Sequence, residues 1–204
     1  FKTQRLNELT NHWLTSPLSY QNGDAYMREH LIHHRAAGSD EDPDLLNYVD
    51  YPITNERLKR KLTRDLTGRT GIRNLMATYK AIWNLQDQNP EDRLALVRGI
   101  VVNVLMIVTM AAFGVIWLYA VWMAALIFVY PAVVRVRQIS EHAAVPELRS
   151  EDAMLNTRTT AASPLARLII CPHQVNYHVE HHLLASIPIY RPVSYTHLRA
   201  HETL

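Results

Sequence analysis

One cysteine, Cys171, is all that 204 residues carry, so no internal disulfide can form and the thiol reads as a small packed hydrophobe. Charge is missing from one long stretch: residues 99–134, between Arg98 and Arg135, contain no Asp, Glu, Lys or Arg over 36 positions. A signal peptide is also lacking, and the chain opens on Phe1 rather than Met, which leads us to expect that residues upstream of Phe1 are missing. No haem or ferredoxin segment is attached, and nothing repeats along the chain except one five-residue motif.

The uncharged stretch decides the class of protein. The composition (48% hydrophobic, 20% charged, net charge +2, mean hydropathy −0.13) averages a polar part with a strongly apolar one. A single helix over 99–134 would rise about 54 Å at 1.5 Å per residue, against a hydrocarbon core of about 30 Å. Two short spans fit better, with the turn expected at 111–115, where Phe113-Gly114 can bend the chain, and with Pro131 near the end of the second span. A buried hairpin of a soluble protein is the alternative. In the membrane reading, Arg98 before the hairpin and Arg135 and Arg137 after it mark that side as cytoplasmic.

What the chain has in abundance is histidine, 11 residues, arranged so that His-x-x-His-His occurs on both sides of the apolar run: His30, His33, His34 and His178, His181, His182. Two copies are expected by chance in well under about one such chain in a thousand. On a helix, positions i, i+3 and i+4 share a face, so each motif is expected to aim three imidazoles at a common point, an arrangement suited to a transition-metal ion. His142 follows the second span by a short helical extension, which returns it to the side carrying both motifs. Spacing alone leaves it open between a seventh ligand and an ordinary polar residue. His12 and His173 lack motif partners and are expected to be bystanders.

Around these motifs the pattern is helical. Residues 1–14 read as a helix end stopped by Ser16-Pro17, and 24–35 as the helix of the first motif, followed by a turn-rich loop over 38–44. Residues 55–66 set Leu58, Leu62 and Leu66 opposite Lys59, Arg60, Lys61 and Arg64, with Gly68 as a stop; Ile72, Leu75, Met76, Tyr79, Ile82 and Trp83 continue the helical spacing. Both read as helices suited to a membrane surface or to ordinary amphipathic packing. Asn89-Pro90-Glu91-Asp92 is a helix start, with a cap, a proline and first-turn acids.

Tyr26-Met27-Arg28-Glu29-His30-Leu31-Ile32-His33-His34 with Asp42-Pro43-Asp44, Asn176-Tyr177-His178-Val179-Glu180-His181-His182 followed by Ile187-Pro188, and His142 after the second span together resemble the membrane fatty acid desaturase family, in its bacterial form. The resemblance covers residues 1–191. It implies an all-α integral membrane protein, with one transmembrane hairpin present at about 99–134 and cytoplasmic helices carrying the His boxes, in a bacterial plasma membrane. It implies two iron ions held by His30, His33, His34, His142, His178, His181 and His182, and it strengthens His142 as a ligand.

The family's first box, His-x(3 or 4)-His, does not occur in the chain. Residues 1–8 resemble the stretch that follows that box in similar bacterial members, so two ligands and the first spans are expected to be missing upstream and the fragment by itself to be inactive. The implied activity is desaturation of a lipid acyl chain with dioxygen and electrons from a separate donor such as ferredoxin and its reductase. Hydroxylation or ketolation of a carotenoid or alkane, or a metal-binding membrane fragment without turnover, remain as alternatives; nucleic acid is not an expected partner. Ligand imidazoles normally donate their second N–H to an acceptor, which makes Glu141, Glu180, Asp42 and Asp44 candidates, each also readable as a solvated carboxylate. Residues 192–203, PVSYTHLRAHET, resemble a translated transposase-type sequencing adapter. On that reading 192–204 is a non-native tail, and His197 and His201 are set aside.

Overall fold

The computed structural model describes residues 3–184, and the segment 192–204 lies outside them. The described residues are helical, with no strand. In chain order the elements are α1 (Gln4–Thr10), a π-helical turn (Asn11–Thr15) and a 3-10 turn (Ser16–Ser19), then α2 (Gly23–Ala36), α3 (Leu45–Tyr48), α4 (Asn55–Leu66), α5 (Arg69–Trp83) and α6 (Pro90–Ala112). After the hairpin come α7 (Trp117–Ala124), a π-helical turn (Ala125–Val129), α8 (Tyr130–His142), α9 (Ala153–Asn156), α10 (Pro164–Ile169) and α11 (His178–Leu183).

The expected hairpin is present. α6 starts where the sequence signals it, with the Asn89 side chain accepting from Asp92 N–H at 2.9 Å and Pro90 in the first turn. It ends at Ala112, and Gly114 turns the chain at φ +70°, a conformation that favours glycine. From Trp117 to His142 the chain is one helix of 26 residues, long enough, like the 23 residues of α6, to cross a membrane. Only 17% and 11% of their most apolar windows are buried inside the protein. The core helix of a soluble protein would be mostly buried, so the soluble-hairpin alternative fails, and Leu105, Val108 and Val121, all exposed, are positioned to meet lipid.

Contacts divide the chain into two compact units, Phe1–Arg28 with Lys61–Pro131 and Glu29–Arg60 with Ala132–Leu204. In the first, the start of the chain packs on the apolar hairpin. Gly99 lies so close to Tyr20 that an added Cβ would fall 2.7 Å from its ring. The buried amide of Asn103 donates to Pro17 O and Gly99 O at 3.0 and 2.9 Å and accepts from the Tyr119 hydroxyl at 3.2 Å, which satisfies a polar group inside an apolar helix. The first helical stretch ends at Thr15, φ −120° and ψ −69°, directly before Ser16-Pro17 as expected. Pro17 lies in the first turn of the 3-10 helix, where its missing N–H costs nothing, and the chain turns at Tyr20, φ 58°.

The second unit has a small hydrophobic core, Leu45, Tyr48 and Ala143, flanked by Val49, Tyr51, Ile139 and Leu148. The rest of its interior is mostly polar: His33, Asp42, Glu141, His142, Asn156, Thr157, Asn176 and His178 are buried, beside Ala132, Cys171 and Val175. Buried polar groups carry a desolvation cost unless partnered. What these side chains partner with therefore decides how the unit holds together.

Candidate metal centre

Seven imidazoles from three helices converge in the second unit. α2 carries His30, His33 and His34, α8 ends on His142, and α11 begins at His178 and carries His181 and His182. They form two groups: His33, His142, His178 and His182 in one, and His30, His34 and His181 in the other, with the candidate ligand atoms of each group within 4.8 Å of one another. The expectation that each motif serves a single point is therefore corrected. In both motifs the i and i+4 histidines go to one group and the i+3 histidine goes to the other. At about 100° per residue, i+3 and i+4 diverge by about 100° while i and i+4 differ by only about 40°, so one helix turn feeds two neighbouring sites.

The Nε2 atoms are the ones that meet. In the four-imidazole group His142 Nε2 lies 3.0 Å from that of His33 and 2.8 Å from that of His178, which in turn lies 3.1 Å from that of His182. In the three-imidazole group the separations are 3.1 Å (His30–His34), 3.1 Å (His30–His181) and 3.0 Å (His34–His181). Each imidazole nitrogen offers one N–H or one lone pair along a single in-plane direction, so a closed triangle cannot consist of three hydrogen bonds. Metal–imidazole bonds of about 2.0–2.1 Å place ligand nitrogens at right angles about 2.9–3.0 Å apart, which is the spacing found. The donor sets fit a metal ion in each group, and imidazole alone does not specify which metal.

Electrostatics favour the ligand-competent form. Burial first, then the neighbouring imidazoles, hold His34 down at about 3; burial, then His30 and Arg137, hold His181 at about 4. His178, His182 and His30 are pushed down for the same leading reason. At neutral pH these rings are uncharged, with a lone pair free to bind a cation.

One imidazole has a fully built support. His33 Nδ1 donates to Asp42 Oδ1 at 2.8 Å; a carboxylate only accepts, so the Nε2 of His33 carries the lone pair. Asp42 also accepts from Asp44 N–H at 2.8 Å, from Gly38 N–H at 3.0 Å and from the Tyr48 hydroxyl. Burial works against its charge, but the bonds from His33 and Tyr48 outweigh it and hold the carboxyl at about 2. The Tyr48 ring lies flat on the His142 ring, centroids 4.9 Å apart and planes 23° from parallel.

The other three candidate acids differ. Glu141 is buried, bound by Arg137 Nε at 2.9 Å, with its Oε1 4.0 Å from His178 Nδ1. Glu180 accepts from the Thr159 hydroxyl, and Asp44 accepts from the Asn47 amide at 2.9 Å, so neither supports an imidazole through these bonds. Of the bystanders, His12 Nε2 pairs with Asp24 Oδ2 at 2.7 Å in the first unit, and His173 is exposed at φ 57°. Neither belongs to a group of converging imidazoles.

Sequence reasoning missed the segment that seats His142. Arg158 donates through Nη2 to the carbonyls of Ile139, at 3.0 Å, and Ala143, and its N–H donates to Glu141 O at 2.9 Å. These carbonyls lie at the end of α8, where a cation is favoured. The Thr160 hydroxyl adds a bond to Ser140 O at 2.8 Å, and Thr160 exchanges bonds with Asn176, just ahead of α11. The only local signal was an Arg between polar residues.

Compared with known proteins, the chain matches the family model described as fatty acid desaturase over residues 1–201, a range that includes most of the segment set aside as a tail. No curated protein and no solved structure matches it.

Proposed function

This chain belongs to the fatty acid desaturase family, and on that premise we propose that its two imidazole groups hold two iron ions of an oxygen-dependent lipid desaturase. The crosswise division of both His-x-x-His-His motifs into a four-imidazole and a three-imidazole group carries this reading. His33, His142, His178 and His182 hold one ion; His30, His34 and His181 hold the other. When bound, the metal pair supplies an oxidant, from dioxygen and electrons of a separate donor such as a ferredoxin with its reductase, able to remove hydrogen from an unactivated acyl methylene.

The chain's own groups then have definite tasks. Asp42 fixes His33 with Nδ1 protonated and Nε2 toward the ion. The Tyr48 ring covers His142 on one face, and Arg158 anchors the helix end that carries it. Arg98, Arg135 and Arg137 support an orientation in the bacterial inner membrane with the imidazoles on the cytoplasmic side. With four and three imidazoles the two ions are under-coordinated, so the chain alone binds metal without turnover.

The test is lipid analysis in a host unable to desaturate its fatty acids. The chain joined behind a family member's first-box segment, with a ferredoxin and its reductase, is expected to yield unsaturated acyl chains. Hydroxylated or keto products in their place would assign the alternative chemistry, and bound iron without any oxygen-dependent product would reduce the protein to a metal binder.

A further inference from the structure

α5 has three faces, and only one of them is explained by the fold. Gly71, Leu75, Thr78 and Ile82, spaced i, i+4, i+7, i+11, turn inward; an added Cβ on Gly71 would fall 2.2 Å from Ile127 O, so the two backbones touch there. Shifted by one residue, Ile72, Met76, Tyr79 and Trp83 form an apolar stripe about 60° wide that is 45%, 67%, 69% and 82% exposed. Beside it, about 70° further round the helix, Arg69, Arg73 and Lys80 form an exposed cationic row with no acidic partner among the described residues.

We propose that this double face is a binding surface for anionic phospholipid: the Ile72–Met76–Tyr79–Trp83 stripe enters the acyl and headgroup boundary while Arg69, Arg73 and Lys80 engage lipid phosphates. Two observations select lipid over water or a protein partner. Ile127, on which Gly71 is seated, lies inside the uncharged run 99–134, so what surrounds that run laterally also borders α5. The cations also flank the apolar stripe rather than oppose it, which places charge at the edge of an immersed face, where phosphates lie. Trp83 and Tyr79 are the residue types that settle at that depth.

The full chain is reconstituted in vesicles of phosphatidylcholine with a minority of phosphatidylglycerol, and quenching of Trp83 emission by brominated lipids is read as the difference between the protein and its Trp83→Phe variant. Brominated phosphatidylglycerol is expected to quench Trp83 in preference to brominated phosphatidylcholine, by up to about fivefold per engaged cation at low salt. The preference should shrink at high salt and vanish in an Arg69→Gln, Arg73→Gln, Lys80→Gln triple variant whose Trp83 is still lipid-quenched. Equal quenching by the two lipids, or a preference that survives the triple variant, overturns the proposal. So does quenching of Trp83 by aqueous acrylamide in place of lipid, or by neither, which would mean that a protein surface covers the stripe.

Discussion

His34 and His182 stack ring on ring, centroids 4.2 Å apart and planes 22° from parallel, although they belong to different imidazole groups. The two centres are thus built as one layered cluster: each motif supplies both, and displacing one helix disturbs both. Because the hydrophobic core of this unit is small, ligation is expected to be a principal source of its stability.

Metal removal tests that directly. Each ion held at about a thousand times its dissociation constant contributes about 4 kcal/mol, the two together about 8 kcal/mol, and at about 2–4 °C per kcal/mol in a chain of this size stripping both should lower the melting temperature by about 15–30 °C. Differential scanning fluorimetry in detergent, before and after chelation, reads it. An unchanged midpoint would mean that the imidazoles pack without ions.

Asp42→Asn should weaken the four-imidazole site specifically. The amide leaves the Tyr48 hydroxyl and the His33 N–H with a neutral partner, and loss of such support costs about 10- to 100-fold in metal affinity. Competition with a chromophoric chelator should show one ion loosened and one retained. Tyr48→Phe keeps the ring on His142 but deletes a buried hydrogen bond, and should cost about 1–3 kcal/mol of stability with a smaller effect on affinity.

Arg158→Ala should act through position rather than contact with metal. It removes charged hydrogen bonds to Ile139 O and Ala143 O, worth about 1.5–3 kcal/mol each at most, and frees the last turn of α8. Lower stability with a matching fall in metal content is expected. Arg158→Lys should restore part of both.

The apo protein should become less stable in acid and be nearly flat above neutrality. His34 and His181 sit at about 3 and about 4 when folded, below the 6.5 of an exposed imidazole. The unfolded chain therefore binds the more protons between those values, and stability present above about pH 6.5 is lost as pH falls through the folded values. Apo melting temperatures from pH 7.5 to pH 5 check the sign; a midpoint that rises on acidification would contradict it.

How much of this was legible in the sequence follows from the range of each interaction. The hairpin, the Asn89 cap and the helices of both motifs rest on neighbours within a turn or on composition, and were readable. The crosswise division of the motifs is readable in principle, since it follows from helical angles: a shared helix face is not a shared focus, because i+3 and i+4 diverge by about 100°. The Tyr48 ring on His142 and the Arg158 anchor link residues brought together only by tertiary packing, so no spacing announced them. Asp42 is one of four candidate acids in the sequence, and what separates it from Asp44, two residues away, is its burial and its bond from His33, both products of tertiary packing.

The most direct test of two neighbouring centres is metal content by plasma mass spectrometry, after expression in iron-replete medium, of the chain and two double variants. The unaltered chain is expected to hold about two irons, because seven inward imidazoles exceed the six positions of one octahedral ion. His142→Gln with His178→Gln, and separately His30→Gln with His34→Gln, should each leave about one, while His12→Gln with His173→Gln should leave both. A single ion in the unaltered chain, or equal losses in the ligand and bystander variants, would contradict the account.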